Sequence, residues 1–567
     1  MKKLMLGNEA YARGAYEAGV TVAAAYPGTP STEILESIVK YDEVKAQWSP
    51  NEKVALEVAI GASMGGARAL CMMKHVGLNV AADPLFTASY TGVNGGLVVI
   101  VADDPGMHSS QNEQDSRFYA RSAHLPMLEA ADSAEAKELM KAAYDISEEY
   151  DTPVLVRTHT RISHSQSLVN IGKREEIPLK EYKKDVMKYV MMPGMAKKRH
   201  IIVEERMKKL TEAANSLDIN TVEMLSGDIG VVTSGICYNY VKEALPNASV
   251  LKLGMVYPIN MDMVKDFAKK VKKLYVIEEL EPFIEDQLKA NGIKCEGKAL
   301  FTVQGEYSVN KIKKAILNED ISHKELQELP QRPPVLCPGC PHRAVYYVLN
   351  KLNMVACGDI GCYTLGALPP LFGIDSCVCM GASIGMATGI EKARGEEFAK
   401  NTVAVIGDST FIHSGITGLI DMVYNAKAST VIILDNSTTG MTGHQDHPGT
   451  GKNAKGEAAP KLDLVKLINA IGVNNVRVVD PFEIEDLTKA IKEETAKKEI
   501  SVIIAKRPCE LLEKGKSRGK ALKVTDCRQC GLCLKLGCPA IINTDNGVVI
   551  DETLCNGCGL CKKGMSF

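Results

Sequence analysis

At 567 residues the chain is long enough for several domains, each with its own core. With 45% hydrophobic and 24% charged residues it has the composition of a globular protein. A formal charge of −2 excludes the basic footprint of a nucleic-acid binder, and apolar runs such as 97–102 are too short to span a bilayer.

Asn8, Glu9 and Arg13 interrupt the stretch after Lys2 and Lys3, so no signal peptide is expected. Residues 1–175 read as an α/β domain with strands at 97–102 and 154–157. Tyr26-Pro27-Gly28-Thr29-Pro30-Ser31 is a turn, with Thr29 expected to cap the next helix and Pro30 to lie in its first turn. Asn51-Glu52-Lys53 opens a helix whose small residues are spaced for close packing. Residues 176–200, rich in Lys, Glu and Met without a clean period, read as a linker. A smaller α/β unit follows at 201–325, with strands at 229–233 and 274–277, and prolines at 330–334 mark a boundary. A third unit covers 335–512, a charged tether 513–523, and a cysteine-rich tail 524–567. The two cysteine triplets of that tail are the sole internal repeat.

The third unit is organised around Val403–Thr442, which reads as strand, tight turn, helix, strand, tight turn. The β-branched runs 402–406 and 430–434 suit buried parallel strands. They stop at Gly407-Asp408-Ser409 and Asp435-Asn436-Ser437. Ligands of open parallel sheets sit at the carboxyl ends of strands, so Asp408 and Asn436 are delivered to one edge. Mg²⁺ takes a few hard oxygens and keeps room for phosphate. Asp408, the Asn436 amide oxygen and a carbonyl near Thr438 would leave places for a diphosphate and a water. The plainer alternative is one more βαβ unit with acids at its strand ends.

Gly-Asp-x, a helix, then an Asn ending the next strand resembles the signature of thiamine-diphosphate enzymes, and the 28 residues from Asp408 to Asn436 fit it. Ser409 replaces the usual Gly, and the paired Asn is here Asp435-Asn436. The resemblance implies cofactor contacts from Gly407, Asp408, Ser409, Asn436 and Thr438, with Mg²⁺ on Asp408, Asn436 and Thr438.

Thiamine diphosphate works only once its C2 proton leaves. Its aminopyrimidine performs that step when a carboxylate holds the ring nitrogen, and a buried carboxylate at a helix start can serve. Tyr-Pro-x-Thr-Pro-Ser, then Glu52 nine residues before Gly61-Ala62-Ser63, resembles the first domain of the 2-oxoacid:ferredoxin oxidoreductases. The resemblance implies a catalytic set. Glu52 activates the coenzyme, Thr29 lies near the substrate, and the segment Lys74–Asn79, with His75, lies beside the reacting carbon. The plainer readings make Glu52 an exposed first-turn acid favoured by the helix dipole, and His75 an ordinary core or surface histidine. Pyruvate members grip the substrate carboxylate with an Arg after the next strand. Here that stretch is Ala102-Asp103-Asp104-Pro105-Gly106. A simple pyruvate enzyme is disfavoured, and the carboxylate anchor is left open.

Without export, the 17 cysteines are expected as thiols or metal ligands rather than disulfides. The tail reads Cys527-x2-Cys530-x2-Cys533-x4-Cys538-Pro539, then Cys555-x2-Cys558-x2-Cys561. This resembles the bacterial two-cluster ferredoxin, in which the fourth Cys of each run ligates the other cluster. It is not a zinc-ribbon layout. Four residues rather than three precede Cys538, and Met565 stands where the second run's fourth Cys is expected. One [4Fe-4S] cluster therefore has Cys538, Cys555, Cys558 and Cys561. The other has Cys527, Cys530 and Cys533, leaving a [3Fe-4S] cluster, a four-iron cluster with a foreign ligand, or none. A thioether is a poor substitute, so Met565 is not assigned. The resemblance also places Cys337, Cys340 and Cys362 where relatives hold a cluster near thiamine, which Cys509 would complete. Buried structural cysteine is the alternative. Cys357, Cys377 and Cys379 are expected in the core.

Taken whole, the chain resembles the large subunits of the aryl, indolepyruvate branch of the 2-oxoacid:ferredoxin oxidoreductase family. The implied fold is α/β. Two thiamine-diphosphate-binding-type parallel-sheet domains, pyrimidine-binding at 1–175 and diphosphate-binding at 335–512, flank a transketolase C-terminal-like α/β domain at 201–325. A ferredoxin-like iron–sulfur module closes the chain at 524–567. The implied reaction is oxidative decarboxylation of aryl 2-oxo acids to acyl-coenzyme A, with electrons passing singly through clusters to external ferredoxin. The implied partners are a small beta subunit, in a heterotetramer of two large and two small chains, in an anaerobic cytoplasm. No residue reveals the aryl preference or coenzyme A use. Two rivals stand: a non-redox thiamine decarboxylase or carboligase with a structural cluster, and a non-catalytic electron-transfer subunit.

Overall fold

A computed structural model describes residues 1–319, 333–513, 519–525 and 527–563. The chain divides into two compact units, Met1–Gln327 and Glu328–Phe567. The expected boundary at 330–334 falls mostly outside the described residues, as do part of the 513–523 tether and Met565.

The first unit is built on a seven-stranded sheet. Its strands run in the order Met255–Tyr257, Met127–Glu129, Val154–His159, Leu97–Asp103, Ala69–Lys74, Val22–Ala25, Lys45–Trp48. All pair in parallel except the first, which is antiparallel to its neighbour. Residues 97–103 are buried throughout. A near-continuous apolar run of this kind belongs to a strand covered on both faces, and separate apolar clusters lie on the two sides. The expected 201–325 segment forms a second, four-stranded sheet around Ser226–Ser234. Through Met255–Tyr257 it also completes the first sheet.

The second unit holds a five-stranded, wholly parallel sheet in the order Val355–Cys357, Thr402–Gly407, Thr430–Asp435, Ser501–Lys506, Asn475–Val479. Apolar clusters again cover both faces. The tail adds a short hairpin, Ile541–Thr544 with Gly547–Ile550. Among the described residues no helix is long and apolar enough to cross a membrane.

Three expectations are corrected. Thr29 does not cap a helix: the helix runs Thr32–Ile38, and the Pro30 carbonyl is taken by Asn8 Nδ2 at 2.6 Å, which holds the turn apart from it. The segment read as linker carries the helix Val186–Tyr189 and the start of the helix Pro193–Ala213. Cys377 and Cys379 are exposed, because they lie in a loop outside the sheet; Cys357, on a strand, is buried as expected.

Candidate active site

In the second unit, Asp408 begins a helical turn directly after the strand Thr402–Gly407, and Asn436 follows the strand Thr430–Asp435. Both are buried. Gly407 is required by packing: a Cβ there would lie 2.5 Å from the Tyr363 ring. Asp408 Oδ1 accepts from Ser409 N, and Oδ2 from Ser437 N, each at 2.9 Å. His447 Nδ1 accepts from Gly449 N at 3.1 Å, so the ring proton sits on Nε2, 3.4 Å from Asp408 Oδ2. Burial raises the Asp408 carboxyl above its ordinary range, and His447 only partly offsets this.

The Asn436 side-chain oxygen lies 2.8 Å from the Thr438 carbonyl oxygen and 3.2 Å from Asp408 Oδ1, with no proton to share. Ligand oxygens on one edge of a Mg²⁺ octahedron are spaced by about 3 Å. Turning the amide would replace these contacts by two hydrogen bonds. A cavity of about 400 Å³ opens beside Asp408 and is lined by His447, Lys461, Lys466 and Lys506. His447 was not anticipated; the His447-Pro448-Gly449 turn that supplies it was its only signal.

In the first unit, Asn51 caps the helix Glu52–Met64 by accepting from Val54 N at 2.9 Å. Glu52 is only 4% exposed, which removes the reading of a solvated first-turn acid. Its carboxylate lies against Gly77, where an added Cβ would come within 2.6 Å of Glu52 Cγ and 2.7 Å of Oε1. Gly77 belongs to the short helix His75–Val80 that follows the strand Ala69–Lys74. His75 is buried and its Nε2 lies 3.2 Å from Ser110 Oγ. Burial, aided by the neighbouring Lys74, lowers the His75 imidazole to about 4. Thr29 joins the same neighbourhood through its carbonyl, which accepts from Ser109 Oγ at 3.3 Å. Glu52, Thr29 and His75 therefore gather at the carboxyl end of one sheet.

The acids after Ala102 have a different office. Asp103 accepts from Arg157 Nε at 2.6 Å, and Glu129 from Arg157 Nη1 at 2.5 Å. Arg117 is wholly buried between Asp115 and Glu278, and also donates to the carbonyls of Glu279 and Glu281. Burial would raise Glu129, yet Arg157 and His159 outweigh it and hold the carboxyl well below its usual range. This network joins the two sheets of the first unit.

None of the 17 cysteines forms a disulfide. Cys509 and Cys337 lie close enough to act on Cys362, Cys337 on Cys509, and Cys337 and Cys362 on Cys340; burial is the main force that pushes Cys340 up to about 12 and Cys362 to about 11. This group adjoins the Asp408 edge, since a Cβ on Gly440 would touch both Cys362 Sγ and Asn436 Nδ2. In the tail, Cys538 and Cys555 both act on Cys558 and on Cys561, while Cys527 and Cys530 act on Cys533. A cavity of about 190 Å³ is lined by Cys527, Cys530, Cys533 and Cys561. Among the described residues no three His, Cys, Asp or Glu side chains close on a single metal ion.

Two family models match this chain. Residues 359–505 match "Thiamine pyrophosphate enzyme, C-terminal TPP binding domain", and residues 13–218 match "Pyruvate flavodoxin/ferredoxin oxidoreductase, thiamine diP-bdg". With the parallel sheets, they define a thiamine-dependent enzyme of the 2-oxoacid:ferredoxin oxidoreductase class. The "Indolepyruvate oxidoreductase subunit IorA" of Archaeoglobus fulgidus is 41% identical, covering 99% of this chain and 96% of its own. Proteins of the same name from Methanothermobacter thermautotrophicus (40%; 99% and 96%) and Pyrococcus horikoshii (38%; 100% and 96%) align as fully. The chain belongs to this family of indolepyruvate oxidoreductase IorA subunits.

Proposed function

We propose that the chain is the large subunit of an enzyme that decarboxylates aryl 2-oxo acids oxidatively, with ferredoxin as electron acceptor and coenzyme A as acyl acceptor. One 2-oxo acid and one coenzyme A give acyl-coenzyme A, CO₂ and a proton, and two ferredoxins each take one electron. The observation that carries the reading is that adjacent parallel strands deliver an Asp408 carboxyl oxygen, the Asn436 side-chain oxygen and the Thr438 carbonyl oxygen to one edge of a thiamine-binding domain. These three atoms would hold Mg²⁺, with the Gly407 and Ser409 backbone beside the diphosphate.

Bound thiamine diphosphate supplies the nucleophilic carbon and the electron sink. Glu52, buried and fixed by its helix and by Gly77, would accept a hydrogen bond from the protonated pyrimidine nitrogen of the bound coenzyme and so favour its imino tautomer. Thr29 and His75 line the substrate, and burial keeps His75 neutral at physiological pH, able to donate from one nitrogen and accept at the other. Cys538, Cys555, Cys558 and Cys561 would hold one [4Fe-4S] cluster, and Cys527, Cys530 and Cys533 a second or a [3Fe-4S] cluster. Cys337, Cys340, Cys362 and Cys509 would hold a cluster next to the diphosphate edge. A small beta subunit completes the enzyme, a heterotetramer of two large and two small chains in the cytoplasm.

The test is made on the anaerobically purified two-subunit enzyme. Iron, sulfide and thiamine are measured, and reduction of a low-potential dye by indolepyruvate is followed with and without coenzyme A. Glu52→Gln should lower turnover about 10²- to 10⁴-fold while leaving bound thiamine unchanged. Normal turnover by that variant, or dye reduction by pyruvate alone, would overturn the reading.

A further inference from the structure

We propose that Lys74 is the group that grips the substrate carboxylate. The assignment rests on the functional reading above. The stretch 102–106 offers no Arg, and the nearby guanidiniums are engaged: Arg117 by Asp115 and Glu278, Arg157 by Asp103 and Glu129, Arg161 by Glu306.

Lys74 ends the strand Ala69–Lys74 and is 7% exposed. Its Nζ donates to the Ser109 carbonyl at 2.5 Å and lies 3.4 Å from Ser109 Oγ. Both partners are neutral. Among the described residues no carboxylate forms an ion pair with this ammonium. Asp104, the acid whose field reaches it, accepts instead from Ser109 N, Ser110 Oγ and Thr160 Oγ1. Burial lowers the ammonium to about 8, the direction expected of a charge held without a counter-ion. An entering anion would supply that missing partner.

The place is right for a 2-oxo acid. A Cβ at Gly28 would lie 3.2 Å from Lys74 Cβ, so the ammonium's stem packs on the turn that carries Thr29. The same Ser109 that receives the ammonium bonds to the Thr29 carbonyl. The next residue is His75, and Gly77 against Glu52 follows two further on. Ser109 itself is exposed, so a small anion has a route to Nζ by displacing that loop's carbonyl.

The experiment compares Lys74→Met, close in volume, and Lys74→Arg with the wild-type two-subunit enzyme. KM and kcat are measured for indolepyruvate and its methyl ester, together with bound thiamine and equilibrium binding of indole-3-propionate, which has the carboxylate but no keto group. In Lys74→Met, KM for the acid should rise about tenfold to a hundredfold, the weight of a charged hydrogen bond. The preference for acid over ester should vanish, thiamine retention should be unchanged, and Lys74→Arg should recover part of the loss. An acid KM within twofold of wild type, or a surviving acid preference, would overturn the assignment. If no form turns over any 2-oxo acid, the functional reading fails; indole-3-propionate binding, lost in Lys74→Met or kept, then still decides the lysine.

Discussion

Acids gather at the carboxyl ends of the parallel strands in both units, but they are balanced in opposite ways. In the first unit Asp103, Asp115, Glu129 and Glu278 are met by two buried guanidiniums, Arg117 and Arg157. In the second, Asp408 and Asn436 are met by imidazoles: His447 Nε2 lies 3.4 Å from Asp408 Oδ2, and His342 Nε2 lies 3.3 Å from Asn436 Nδ2. Carboxylates tied to guanidiniums on neighbouring elements make a scaffold. On the proposed reading, a carboxylate and an amide without a guanidinium beside them leave a place for a metal cation. Lys74 is the inverse case, a buried ammonium of the first unit that forms no ion pair among the described residues.

Four substitutions separate these offices. Asp408→Ala should have the largest effect: Mg²⁺ affinity falls by more than about 100-fold, and thiamine retained through gel filtration drops to background. Arg117→Met should instead cost the first unit about 3–5 kcal/mol, because Asp115 and Glu278 are left buried and unpaired. Denaturant unfolding and hydrogen exchange read that loss. Gly77→Ala should cost about 1–3 kcal/mol of stability by overpacking, and turnover should fall about tenfold through displacement of the Glu52 carboxylate, with thiamine retained. If turnover is untouched, Glu52 is not positioned by this contact.

The smallest effect is set by pH. His75 is held at about 4 when folded, against 6.5 when unfolded. The unfolded chain therefore binds the extra proton first, and stability falls as pH drops from 6.5 toward 4. At pH 5.5 this costs about 1 kcal/mol. His75→Gln should flatten the slope of Tm against pH in that interval and leave it unchanged above neutrality.

The sequence made the second unit's edge readable because it is local. Each strand ends at its own ligand, and the turn residues are adjacent to them. The helix at Glu52 was readable from Asn51, but the burial of Glu52 was not, since it depends on Gly77 in another element. The turn at Thr29 was misread because Asn8, from the first helix, holds the Pro30 carbonyl while Ser31 N donates back to the Gly28 carbonyl, so the helix starts only at Thr32. The helix Pro193–Ala213 left no apolar period, because arginines stand among its buried residues. Arg199 bonds to the Tyr90 carbonyl and Asp151, and Arg206 to the carbonyls of Ser89 and Asp151. Polar side chains that dock on backbone oxygens are invisible to a hydrophobic pattern. Cys377 and Cys379 gave the opposite error, an apolar run with no strand to carry it.

The cysteine tail was expected as a module on a tether, yet it is riveted to the second unit. Leu536 and Leu560 belong to that unit's apolar core, Arg343 Nη1 donates to the Leu536 carbonyl at 2.8 Å, and Asn556 reaches the Pro338 carbonyl at 3.3 Å. Gly339 has no room for any side chain beside Asn556. The segment is therefore no exchangeable cassette. Trimming it would uncover the apolar core that Leu536 and Leu560 help to close.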